Sequence, residues 1–145
     1  MTPLEQSQRE GIIRRLEFVR VEMGDLEDYA GMDYQRYSRD RGARRIVERI
    51  AENVANACID VAKIMLASED SEVPETYREA LLMLGKLGIV ARDTSQAVAE
   101  LARLRNVLAH QYLDLKWEAV ERFIKTGPAV VEAFVEEVEG WLSGE

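Results

Sequence analysis

"IVERIAENVANACIDVAKIM", Ile46 to Met65, decides how this chain folds. Ile46, Ile50, Val54, Ala57, Val61 and Met65 recur at steps of four, four, three, four and four. That period marks one face of an α-helix, not the alternation of a half-buried strand. The spacing predicts a long helix from about Asp33 to about Ser68.

The same period extends outward in both directions. Thr2, Pro3 and Glu5 give a helix start, with a capping residue, a proline at the first helical position and an acid after it. Ile12, Leu16, Val19, Met23, Leu26 and Ala30 follow at helical spacing, read as core rather than as a partner surface, and Gly31 is the expected stop. After the loop "SEDSEVP", Thr76 with Glu79 forms a capping box that opens a short helix through Leu81, Leu84 and Leu87, ended by Gly88. Asp93 with Gln96 starts a further helix, with Ala97, Leu101, Leu104 and Leu108 as its stripe. "LDLKW" reads as a turn. A last helix covers about Lys116 to Trp141, and Gly127–Pro128 is expected to interrupt or kink it. The expectation is one all-α domain over residues 1–145, an antiparallel up-and-down bundle of four to five helices.

Composition narrows the function classes. At 145 residues the chain buries a core without a disulfide or metal staple. Cys58 is the only cysteine, so no internal disulfide forms, and a reducing cytoplasm fits. The polar start "MTPLEQSQRE" is not a signal peptide, and no apolar run approaches the ~18 residues of a membrane helix. A net charge of −8 argues against non-specific binding to nucleic acid or acidic membrane. A conventional zinc site is excluded, because His and Cys number one each. No phosphate-binding glycine loop is present, and no serine stands in a nucleophile elbow.

What remains is the chemistry of "RNVLAHQY", Arg105 to Tyr112, which holds the single histidine. At 100° per residue, Asn106 and Arg103 project within ~40° of His110, while Arg105 lies ~140° away and close to Tyr112. Asn106 is placed to fix the imidazole tautomer by a hydrogen bond. Arg105 and His110 meet at one phosphate only if the helix ends near His110, or if a second subunit completes the site. Metal-free cleavage of RNA by the 2′-hydroxyl needs a base and an acid. A symmetric dimer supplies two histidines and two arginines for it.

Other candidates lie outside this motif. Asp60, in "CIDVAK", is a carboxylate in an apolar stretch, suited to orienting an arginine or histidine across the bundle or to a structural ion pair. Arg41, Arg44, Arg45 and Arg49 belong to the only dense basic stretch, suited to RNA phosphates or to an acidic partner. As a plain solvated face, it would pair Arg45 with Glu52 or Arg44 with Glu48.

At the motif, the sequence resembles the HEPN superfamily, and within it the HepT-like toxins. Their signature is arginine, four residues, histidine, one residue, tyrosine, usually with asparagine after the arginine. Arg105, Asn106, His110 and Tyr112 match it, and "ENVANACIDVAKIML", "VPETYREALLMLGKLGIV" and "LARLRNVLAHQYLDL" follow the family's order. The resemblance covers roughly residues 36–141. It implies a HEPN-like dimeric bundle with the motif at the interface, and a metal-independent endoribonuclease toxin without a cofactor. It also implies an MNT-type nucleotidyltransferase antitoxin as partner, which in some members adenylylates the motif tyrosine. Carried over, Arg105 and His110 become catalytic, Asn106 and Asp60 supporting, and Tyr112 the modification site. The alternative is a non-catalytic helical module that serves as partner or substrate of a nucleotidyltransferase.

Overall fold

A computed structural model describes residues 3–69, 72–111 and 113–144. Among them there are six α-helices and no strand: α1 Gln6–Leu26, α2 Tyr34–Arg39, α3 Arg41–Ala67, α4 Tyr77–Lys86, α5 Arg92–His110 and α6 Trp117–Ser143. The all-α expectation holds, but the helix count is one above the expected range.

The extra helix comes from a break at Asp40. Its backbone is extended, with φ −92° and ψ 91°. Its carboxylate accepts the Ala43 N–H at 3.0 Å, and Asp33 likewise accepts the Arg36 N–H at 2.8 Å. Two N-caps seven residues apart cut the expected Asp33–Ser68 helix into α2 and α3. The first helix also starts later than expected. Thr2 lies outside the described residues, Pro3 precedes the helix, and Glu5 is the cap, its N–H donating to Gln8 Oε1 at 2.8 Å.

Gly127 and Pro128 do not interrupt α6. Proline restricts the residue before it through that residue's Cβ, and Gly127 has none. The ring of Phe123 occupies the space instead, 2.9 Å from where a Cβ would stand. Burial of Phe123, Ile124, Val131 and Phe134 holds the two halves in one helix.

The helices pair antiparallel. Contacts of α1 with α3 run from Asn53–Glu22 to Asp60–Arg15. Arg9 donates to the Leu142 carbonyl, and Arg20 grips both Glu139 oxygens at 2.8 Å, so α1 also lies along α6. At the start of α5, Glu137 of α6 accepts from the Ala91 N–H and the Thr94 hydroxyl, both at 2.6 Å. That makes Ala91 the cap residue and leaves Asp93 in the first turn.

Helix α3 lies at the centre, with Val47, Ile50, Val54, Ala57, Cys58, Val61 and Met65 buried. Ile46 is not part of this core but 46% exposed, because Val47 takes the inward direction at the first turn. Leu87, beyond the end of α4, is likewise exposed. The α1 stripe is core, as expected, through Ile12, Leu16, Val19 and Leu26.

Candidate active site

Helix α5 carries the motif to its last residue. Leu101, Leu104 and Leu108 bury its inner stripe, and the helix ends at His110. Gln111 leaves the helical conformation at φ −113°, ψ 51°, while its N–H still reaches the Val107 carbonyl at 3.0 Å. The helix does end at His110, but it still contains both Arg105 and His110, so their helical separation remains. The imidazole is exposed and makes no hydrogen bond or ion pair with another described residue.

The far end of the connection is anchored. The Lys116 N–H donates to the Tyr37 hydroxyl at 3.0 Å, and the Trp117 ring packs on Tyr37 with centroids 5.3 Å apart. Tyr37 is wholly buried and donates its own proton to Glu48 of α3. Burial and the Glu48 carboxylate push its hydroxyl well above the usual tyrosine range. Six residues, 111–116, therefore bridge the motif to a fixed point.

Arg105 points across to α3 and α4. Its Nε donates to Asn56 Oδ1 at 3.2 Å, and its Nη1 donates to Asn106 Oδ1 at 3.3 Å. The guanidinium carbon stands 5.5 Å from the centre of the Tyr77 ring, and Lys63 Nζ stands 4.4 Å from the same centre. Both are cation–π distances. Asn106 thus serves Arg105, where the helical projection gave it to His110. Adjacent residues point ~100° apart on a helix, and only the length of the arginine closes that gap. Arg103 turns away to Glu100 at 4.0 Å.

Asp60 pairs with Arg15 of α1 at 3.4 Å. It does orient an arginine across the bundle, but not the arginine of the motif. The basic stretch divides. Arg44 turns inward and donates to the carbonyls of Tyr37 and Ser38, at 2.9 and 3.0 Å. It closes the end of α2 through Nη1 and is half-buried, unlike the other arginines of the stretch. Arg41, Arg45 and Arg49 stay exposed. Arg49 lies 3.9 Å from Glu52, and Glu48 is taken by Tyr37, so neither expected local pair forms. Tyr112 lies outside the described residues. Asn56, Lys63 and Tyr77 were missed by sequence reasoning. Asn56 sits among small apolar residues, and Tyr77 reads as the first residue after a cap, so neither carries a signal alone.

No group of three or more His, Cys, Asp or Glu that could hold a metal ion occurs among the described residues. No helix of the structure is long and apolar enough to cross a membrane, among the same residues.

Comparison with known proteins places this geometry. A tRNA nuclease HepT of Aphanizomenon flos-aquae is 25% identical over 128 residues, 88% of this chain and 87% of that protein. An mRNA nuclease HepT of Shewanella oneidensis is 20% identical over 61% of this chain and 66% of its own length. Among solved structures, a toxin–antitoxin complex with AMP-PNP contains a chain that superposes with a TM-score of 0.82 at 18% identity, covering 90% of this chain and 98% of that one. A tri-AMPylated Shewanella oneidensis HEPN toxin in complex with its MNT antitoxin gives 0.79 at 18% identity, covering 90% and 97%. The cytosolic protein YutE of Bacillus subtilis, of unknown function, gives 0.82 at 17% identity, covering 99% and 94%. At these identities the superpositions establish the shared fold. The model of the ribonuclease HepT-like family matches residues 19–138, most of the chain, and this protein belongs to that family.

Proposed function

We propose that this chain is the toxin of a toxin–antitoxin pair, a metal-independent endoribonuclease that acts in the cytoplasm as a homodimer. An MNT-type nucleotidyltransferase antitoxin silences it by adenylylating Tyr112. The observation that carries the reading is the state of the two motif side chains. His110 is exposed and uncommitted at the end of α5, and Arg105 is fixed by two asparagines with part of its guanidinium free. A buried, fully bonded histidine would have favoured the alternative, a non-catalytic partner module.

The chemistry follows from these groups. One imidazole takes the proton of the 2′-hydroxyl as its oxygen attacks the adjacent phosphorus. The bond from phosphorus to the 5′-oxygen breaks, and a second imidazole returns a proton to that oxygen. Arg105 stabilises the charge that builds on the phosphorane oxygens. One chain has one histidine, so the second comes from a second copy. Leu113, Leu115 and Tyr34 are large, exposed and near the motif in sequence or beside Trp117. Covering them in a dimer removes apolar surface from water. RNA as substrate class is supported by the two related nucleases, and the antitoxin by the related toxin complex. Arg45 and Arg49 lie within ~20° of Asn56 on α3, which extends positive charge along one face toward the site. An AMP group on Tyr112 adds a phosphate charge that competes for Arg105.

The test is RNA cleavage in EDTA by protein freed of any antitoxin, with intact mass read on the same sample. Cleavage by the unmodified wild type and none by His110→Ala supports the reading. An unmodified dimer that leaves varied RNAs intact replaces it with the partner-module alternative.

A further inference from the structure

We propose that Asn56, Lys63 and Tyr77 form with Arg105 a built phosphate subsite for the RNA strand. Asn56 and Tyr77 are positioning residues for the guanidinium, and Lys63 supplies a second positive charge. The proposal rests on the ribonuclease reading for the identity of its ligand, and on the following geometry for its existence.

The guanidinium is constrained in three directions. Asn56 takes the Nε proton, Asn106 takes one Nη1 proton, and the Tyr77 ring lies within cation–π distance of the guanidinium carbon. Of its five N–H donors, three remain, one on Nη1 and two on Nη2. These three are left to donate to phosphate oxygens, the two on Nη2 with no partner among the described residues. The arginine is therefore oriented before a ligand arrives, and less ordering is needed on binding.

Lys63 stands on the same face of α3 as Asn56, seven residues on, which is two helical turns. Its ammonium and the guanidinium share one aromatic ring. Among the described residues neither cation has a carboxylate partner, and Asp60, one turn before Lys63, is taken by Arg15. Two like charges on one ring repel each other, and an anion between or beside them relieves that repulsion. Such a pair, on a chain of net charge −8, is a local exception to the surface around it. Tyr77 is 40% exposed, Lys63 is exposed and Arg105 is half-buried, so the ring and both cations reach solvent.

The experiment combines kinetics with binding of a 2′-O-methyl oligonucleotide, which cannot be cleaved and so reports on the subsite even from an inactive protein. Tyr77→Leu and Asn56→Ala are expected to lower kcat by about tenfold or more with KM little changed, and Tyr77→Phe to stay within about twofold of wild type. Lys63→Gln is expected to weaken oligonucleotide binding about fivefold and to reduce the salt dependence of log K by about 0.7, the value for one phosphate contact on a single strand. Lys63→Arg restores it. If no RNA is cleaved but the oligonucleotide binds with this slope change, the subsite stands and the ribonuclease reading falls. An unchanged slope in Lys63→Gln, together with unchanged kcat in Tyr77→Leu, overturns the proposal. So does a wild type that binds no oligonucleotide.

Discussion

The hydroxyl of Tyr37 and the backbone N–H of Lys116 are hydrogen-bonded at 3.0 Å across 79 residues of sequence, and this bond anchors the segment that follows His110. Glu48 takes the hydroxyl proton, Arg44 stands 5.9 Å from the ring centre, and Trp117 packs against it. One buried tyrosine thus joins α2, α3 and the start of α6.

Tyr37→Phe keeps the ring and removes both bonds. It leaves Glu48 and the Lys116 N–H without their partner, a loss of roughly 1–3 kcal/mol. Urea denaturation is expected to show this loss. Limited proteolysis is expected to show faster cutting between 111 and 116, and an unchanged cleavage rate there means the bond does not hold the segment.

At Gly85, α4 lies tight against α5. A Cβ there stands 2.6 Å from Ser95 Cβ and 2.7 Å from its Oγ. Ser95 is buried and donates to the Leu81 carbonyl at 2.8 Å, so it has little room to yield. Gly85→Ala is expected to destabilise by about 1–3 kcal/mol, as overpacking does, despite the better helix propensity of alanine. A mutant as stable as wild type in thermal melts refutes this packing.

Cys58 is fully buried, and burial pushes its thiol up to about 12. The thiolate is the reactive form, so iodoacetamide at pH 8 is expected to leave native protein unlabelled and to label it in denaturant. The sign for stability follows from the same shift. The unfolded thiol loses its proton near pH 9 while the folded one keeps it, so stability falls as pH rises from about 9 to about 12. Cys58→Ala is expected to lose stability at neutral pH through the small cavity and to show a flatter decline over that window.

Arg105→Lys tests geometry against charge. Lysine keeps the charge but cannot bond Asn56 and Asn106 while also gripping a phosphate in a fork. The expectation is a fall in kcat of about 10²-fold, the scale of one lost transition-state donor, with little change in melting temperature. Near wild-type kcat in the lysine variant makes Arg105 a plain point charge.

The helices were legible because their apolar period is long within each of Ile12–Leu26, Ile46–Met65, Leu101–Leu108 and Val131–Val138. The start of α4 at the Thr76 cap was read correctly, since Thr76 Oγ1 does accept the Glu79 N–H at 3.0 Å. Asp40 was not seen as a cap because charged residues surround it and no apolar residue marks the register there. Pro128 does not end the helix for a different reason, since a local rule about backbone donors is outweighed by the tertiary packing of Phe123 and Val131. In the candidate site, the motif singles out Arg105 and His110, and the structure leaves His110 exposed at the end of α5 and ties Arg105 to Asn56 and Asn106. Asn56, Lys63 and Tyr77 were not legible, because they reach Arg105 from two other helices, and helical projection follows only one. The same limit assigned Asn106 to the wrong neighbour.

The central claim is in-line attack by the 2′-hydroxyl, with His110 moving the proton and no metal taking part. End-group analysis of the RNA products made in EDTA tests it most directly. The account predicts a 2′,3′-cyclic phosphate on one fragment and a 5′-hydroxyl on the other, both absent with His110→Ala. A 5′-phosphate on the product, or the same ends from the His110→Ala protein, contradicts it.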